Sequence, residues 1–151
     1  MKKWLTITLC IVLALIILGG TLWFFLNKAL DDAAKLHSYD FDGDKIPSLT
    51  SVVGERKVTG VSSSSNTSGS QQKEYTYNTQ TLEEDINVFA GALKEEGFLQ
   101  TTDMAGNFIK GGVQYGLASV DEGKILLIDL SWDNSWFAVK ITKGDGTITP
   151  K

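Results

Sequence analysis

From Trp4 to Leu26 the chain runs for 23 residues without a formal charge, and no other feature restricts its folding as severely. Wound as an α-helix, this run is about 34 Å long, slightly more than the roughly 30 Å hydrocarbon core of a bilayer. It is far more stable in hydrocarbon than in water, so a single transmembrane helix over residues 4–26 is expected. Lys2 and Lys3 precede it with the free amine, whereas Lys28 is answered by Asp31 and Asp32. That lysine bias puts residues 1–3 in the cytoplasm and everything after the helix outside the cytoplasmic membrane. Trp4 at one end and Trp23, Phe24 and Phe25 at the other fit the aromatic belts of the two interfaces.

A cleaved signal peptide is the rival reading, with an apolar core of roughly 7–15 residues before small residues at the cut. Leu18-Gly19-Gly20 resembles such a cut, but Leu22 to Leu26 carry the apolar run beyond it, which favours an uncleaved anchor. A lipid-modified cysteine needs small residues before it and an apolar core upstream; Leu9 precedes Cys10 and most of the core follows it. Cys10 reads as a small apolar packing residue.

What remains of the 151 residues is enough for one domain. All 18 acidic residues and 12 of the 14 basic ones lie after Leu26, a net charge of 12 minus 18, or minus 6. Phosphate binding needs a basic surface, so nucleic acid is excluded as a partner. With one cysteine there is no intrachain disulfide, and the domain must hold by packing, as many bacterial exported domains do.

Residues 27–55 show no sustained periodicity and read as a stalk, although Ala29 to Leu36 could prolong the membrane helix by two turns. Within it Asp40, Asp42 and Asp44 alternate, the spacing by which calcium loops wrap oxygen ligands around an ion. The segment Asp40 to Pro47 resembles the start of a bacterial thrombospondin-type calcium repeat. It departs from that pattern at Lys45, which replaces a glycine, at Ser48, which replaces the closing aspartate, and at Ser51, where an EF-hand has its glutamate. The alternative is a solvated acidic turn.

Residues 56–145 are expected to form an extracytoplasmic α+β domain, with 146–151 a tail. Two strands, Arg56–Ser64 and Lys73–Asn78, flank a Ser/Asn/Gly-rich loop that contains the glycosylation-like triplet Asn66-Thr67-Ser68. A helix from Leu82 to about Glu96 follows. Thr81 and Glu84 suit a capping box, Gly97 a left-handed stop, and Leu82, Ile86, Phe89 and Leu93 share one face. Phe98 is placed to fold back on Leu93. Four more strands, Phe98–Asp103, Val113–Val120, Lys124–Trp132 and Trp136–Thr142, are separated by turns too short for anything but antiparallel pairing. Ile125 to Leu130 is nearly all apolar and suits a central strand; in the last strand Phe137, Val139 and Ile141 share one face, and Trp136, Ala138 and Lys140 the other. The expected fold is an antiparallel sheet of five to six strands with one helix across it, in the order β-β-α-β-β-β-β.

Tyr75-Thr76-Tyr77, Asp85, Phe89, Leu93 and Gly97-Phe98 together resemble a pattern in small single-span or lipid-anchored envelope proteins of Gram-positive bacteria. There a Tyr-x-Tyr strand leads into a helix ending Leu-x-x-x-Gly-Phe. The resemblance covers about 25 residues and implies fold and location; it implies no activity.

No catalytic motif emerges. Nucleophilic catalysis needs a base, and the one histidine is His37, near the membrane. One cysteine and one histidine cannot furnish a zinc site, and Gly106, Gly111, Gly112 and Gly116 lack a phosphate-loop context and read as turns and a bulge. No cofactor is expected. Carboxylate pairs about 5 to 9.5 Å apart can cut glycans, and Asp129, the one acid in an apolar strand, is the candidate; otherwise it faces solvent from a half-covered sheet. Trp132 and Trp136 flank the Asp133-Asn134-Ser135 turn and, with Tyr115, are candidates for an aromatic binding patch; buried, they are core. The reading that follows is a non-enzymatic binding or accessory module of the cell envelope with a protein or glycan partner. The alternatives are a small carboxylate-dependent glycan hydrolase and a calcium-responsive stalk.

Overall fold

The computed structural model describes residues 2–67, 69–103, 105–107 and 109–148, without the side chains of residues 2–6 and 105. Met1, the side chains of Lys2, Lys3 and Trp4, Ser68 of the glycosylation-like triplet and residues 149–151 of the tail lie outside that description.

The first element, α1 (Lys2–Ala34), is one unbroken helix, long and apolar enough to cross a membrane. From Ile7 to Leu26 its side chains touch almost nothing, with Leu22 and Trp23 exposed. The contacts begin one turn later. Leu30 and Ala34 pack against the core, and Ala33 is buried in it.

Residues 27–55, expected to be a stalk, are built into the packed body. After α1 come β1 (Ser38–Phe41) and β2 (Asp44–Pro47), a two-stranded hairpin, then the short α2 (Leu49–Val53). Asp42-Gly43 is the hairpin turn, with φ of 49° and 91°, the double left-handed geometry that an Asp-Gly pair adopts at small cost. Tyr39, Phe41, Ile46 and Leu49 are fully buried. Ser48 caps α2, its hydroxyl accepting from Ser51 N at 3.1 Å and donating to Leu36 O. A stretch without long-range periodicity is here two four-residue strands and one helical turn, each too short to show a period.

The main sheet contains β3 (Lys57–Ser65), β4 (Gln71–Asn78), β5 (Leu99–Gln100), β6 (Ala105–Gly106), β7 (Lys110–Ala118), β8 (Lys124–Asp133) and β9 (Trp136–Asp145), with α3 (Leu82–Glu95) between β4 and β5. Six strands run in the order β3-β4-β9-β8-β7-β5, all antiparallel, and β6 adds to the edge of β7. The fold is therefore α+β in the expected element order. One face of the sheet carries the core, covered by α3, α2 and the β1–β2 hairpin. Phe89 of α3 meets Phe137 of β9 edge-on, with centroids 6.2 Å apart.

Both ends of α3 repay comparison with the sequence. Phe98 N donates to Leu93 O and Gly97 N to Lys94 O, each at 3.0 Å, the Schellman pairing, with Gly97 at φ 89° and Phe98 buried on Leu93. The capping box does not form: Thr81 makes no side-chain cap bond. Its hydroxyl oxygen accepts from Arg56 Nη2 at 3.3 Å and its proton goes to Asp85 Oδ1 at 3.1 Å, so the side chain is held in the Arg56–Asp85 cluster rather than over the first turn of the helix.

Two loops also differ. The Ser-rich loop is shorter than expected: β3 runs one residue past the expected Ser64, β4 begins two residues before the expected Lys73, and Ser62 to Ser65 pair with Gln71 to Glu74; ladder bonds need no apolar side chain. Gly111 and Gly112, expected to turn, lie inside β7 and pair with Gly106 and Ala105 of β6; the connection closes after them, with Asn107 N donating to Lys110 O at 2.9 Å, and Gly106 has a φ of 87° and leaves no room for a Cβ against the Lys110 carbonyl. Beyond β9 the tail folds back: Ile148 lies over Gly116, beside Leu127 and Thr101, and Gly146 packs on Ile125.

Candidate functional site

Strand alternation sorts the candidate residues. In β8, Leu126, Ile128, Leu130 and Trp132 point into the core, and the odd-numbered residues point to the open face. Trp132 is therefore 1 % exposed, its indole N–H satisfied by Asn107 O at 2.7 Å. Tyr115, on β7, is 2 % exposed. Both take the core alternative, and the candidate aromatic patch of Tyr115, Trp132 and Trp136 does not assemble. Trp136, opposite Asp133 in the ladder, stays on the open face and is 39 % exposed.

Asp129 takes the solvent-facing alternative. On the open face a row crosses the sheet in register: Glu74 on β4, Lys140 on β9, Asp129 on β8 and Gln114 on β7. Gln114 Nε2 donates to Asp129 Oδ1 at 2.7 Å, and Lys140 Nζ lies 3.3 Å from Asp129 Oδ2. Thr101 Oγ1 donates to Gln114 Oε1 at 2.8 Å. This chain fixes its members before any ligand arrives. It borders an open depression of about 440 Å³, whose lining includes Glu74, Thr102, Asp103, Gly112, Ser131 and Lys140. The side-chain-free Gly112 deepens it. Glu74 and Asp129 both face Lys140, two strand spacings or roughly 9.5 Å apart along the sheet.

The acidic triplet does not converge. Asp42 accepts from Gln71 Nε2 at 2.6 Å, and Asp40 is exposed. Asp44 is turned inward, accepting from Ser119 Oγ at 2.6 Å and Val120 N at 2.8 Å. Its cation is internal: Lys143 Nζ lies 2.8 Å from Asp44 and 2.6 Å from Asp121, and donates to the carbonyls of Phe41 and Asp42. Lys143 is 2 % exposed. Burial pushes the Asp44 carboxyl up, but the bonds from Lys143, Ser119 and Val120 outweigh it and hold the pKa below the usual value. For Lys143 burial pushes down, and Asp121 and Asp44 outweigh it, so its pKa is raised. Among the described residues, no group of three or more His, Cys, Asp or Glu side chains is placed to hold a metal ion.

Two further polar clusters escaped the sequence reading, and both are structural. Arg56 grips the fully buried Asp85 with Nε and Nη2, at 2.8 and 2.7 Å, and Thr79 and Thr81 donate to the same carboxylate. Burial raises the Asp85 pKa, and Arg56 and the threonines more than reverse that, leaving it lowered. This clasp joins the start of β3, the end of β4 and the start of α3. In the Tyr75-Thr76-Tyr77 run, Tyr77 OH meets Tyr39 OH at 2.6 Å, Tyr39 OH accepts from Leu49 N, and Tyr75 stacks on Tyr39 at 4.5 Å. Burial raises the Tyr77 pKa to about 12.

No protein family, curated protein or solved structure matches this chain.

Proposed function

We propose that the protein is a non-enzymatic binding or accessory module of a bacterial cell envelope, anchored in the cytoplasmic membrane by residues 4–26 with its domain outside. The observation that carries this reading is α1: one helix whose apolar length packs against nothing in the chain while its last turns are built into the core. Such a helix needs another medium for its exposed side, and lipid is the medium that its composition suits. The lysines at its start set the sidedness. Because no stalk intervenes, the sheet is presented close to the bilayer, and its open face, with Trp136 and the row through Asp129, is the surface offered to an envelope protein or glycan.

The test is photo-crosslinking in native membranes, with the reactive group at Ser131 or at Val88 on the exposed side of α3. A discrete adduct is expected from Ser131 and none from Val88. Equal labelling from both positions, or none, overturns the open face as the contact surface.

One observation favours a second reading, a glycan hydrolase: two carboxylates, Asp129 and Glu74, border the same depression, as the two acids of a glycosidase border its cleft. In that case Asp129→Asn abolishes glycan-cleaving activity of the purified protein while its melting is unchanged. Activity that survives the substitution removes this reading.

A further inference from the structure

The two edges of the sheet are built differently. On one, β5 and β6 are two residues each and are interrupted where Thr102 Oγ1, rather than a backbone carbonyl, takes the Gln114 N–H. On the other, β3 runs for nine residues. Its first part is flanked by α1, with Val58 buried in the same cluster as Leu30 and Ala33. From Val61 to Ser65 every residue is exposed, and among the described residues no strand pairs with the outer side of β3.

Exposed edges are ordinarily guarded by charge, proline, a bulge or brevity. This stretch has none of them. The bulge in β3 falls earlier, between Val58 and Gly60, and Val61-Ser62-Ser63-Ser64-Ser65 carries no charge in a domain of net minus 6.

We propose that Val61–Ser65 is a self-association edge, at which β3 of one copy pairs antiparallel with β3 of a second copy in the same membrane. Two observations select a second copy as the occupant. The domain is acidic, so copies of it repel except where no like charges come face to face, and this neutral strip satisfies that condition. The helix is unbroken into the core, so it carries the same edge of every copy at the same distance from its apolar run, which a loose stalk would not do. Five paired residues bury less than the roughly 1,200 Å² of a stable soluble interface. The tether supplies the missing association by confining copies to two dimensions.

The test is cysteine scanning of the full-length chain in membranes, in a Cys10→Ser background. Single cysteines replace Val61, Ser62, Ser63, Ser64 and Ser65 in turn, with Val88→Cys as the exposed control, and disulfide-linked dimer is measured after mild oxidation. In an antiparallel pair centred on Ser63, the two Ser63 positions face each other at about 4.5–5.5 Å between Cα atoms, within disulfide reach. Ser63→Cys is expected to dimerise about fivefold more than Val88→Cys, and mixed Ser62→Cys and Ser64→Cys chains more than either alone, as that register demands. Introducing Ser63→Lys into Ser62→Cys and Ser64→Cys chains should abolish their mixed dimer while melting is unchanged. A flat profile at the level of Val88→Cys overturns the proposal. So does a linked product whose mass is not twice that of the chain, which would assign the edge to a foreign strand.

Discussion

Lys143 is the side chain that ties the β1–β2 hairpin to the last strand of the sheet. It is almost wholly buried, and it supplies the one positive charge between Asp44 and Asp121 while capping two hairpin carbonyls. Removing one partner of a buried pair leaves the other uncompensated, at about 3–5 kcal/mol. Lys143→Met is therefore expected to lower stability by about that much in thermal melting, and adding Asp44→Asn to recover part of the loss. The position could have been anticipated. The alternation that puts Phe137, Val139 and Ile141 inside puts residue 143 inside as well, and a lysine there requires acids within reach of its ammonium. What the sequence withheld was which acids, because Asp44 at the start of β2 and Asp121 between β7 and β8 are far from Lys143 in the chain.

The same carboxylates set the acid limit. Asp44 and Asp85 both have folded pKa values below the ordinary carboxylate value. Their stabilisation is complete above the unfolded pKa, about 3.9, and is lost as pH falls through the folded values. Acid unfolding is expected below about pH 4. Asp85→Asn should lower stability at neutral pH and flatten the acid limb, because one proton-linked group is gone. An unchanged limb would mean that Asp85 does not carry this linkage.

Among the elements, α3 and the long strands were legible because each repeats its period several times: Leu82, Ile86, Phe89 and Leu93, or Leu126, Ile128 and Leu130. The β1–β2 hairpin was not, since four residues per strand show no period and the alternating aspartates suggested a metal loop. Asp42-Gly43 between Tyr39-Asp40-Phe41 and Ile46 was the available signal, because Asp-Gly between apolar residues marks a tight hairpin. Once made, the hairpin is held by Phe41, Ile46 and the Tyr39–Tyr77 hydroxyl pair. A chain beginning at Asn27 should melt cooperatively, whereas one beginning at Arg56, which lacks these core residues, should not fold. Exchange-protected amides in the shorter chain would contradict the assignment of residues 38–53 to the core.

The candidate site was less legible than the fold. The sequence placed Trp136, Ala138 and Lys140 on one face of the last strand, and that face is the open one. It could not give the register that sets Lys140 between Glu74 and Asp129, nor reveal that the parity of β8 sends Trp132 inward.

The whole molecule is a domain grown on the end of one helix. On the proposed anchoring, height above the bilayer, orientation of the sheet and access to the β3 edge are all set by α1. The simplest check labels single cysteines at Asp31, one turn past the apolar run, and at Val88, in the Cys10→Ser background, with a maleimide that cannot cross membranes. Both positions should react fully in intact cells, with no gain on permeabilisation. Reaction only after the membrane is opened would put the domain on the cytoplasmic side, and recovery of the labelled chain in the medium would show that no helix tethers it.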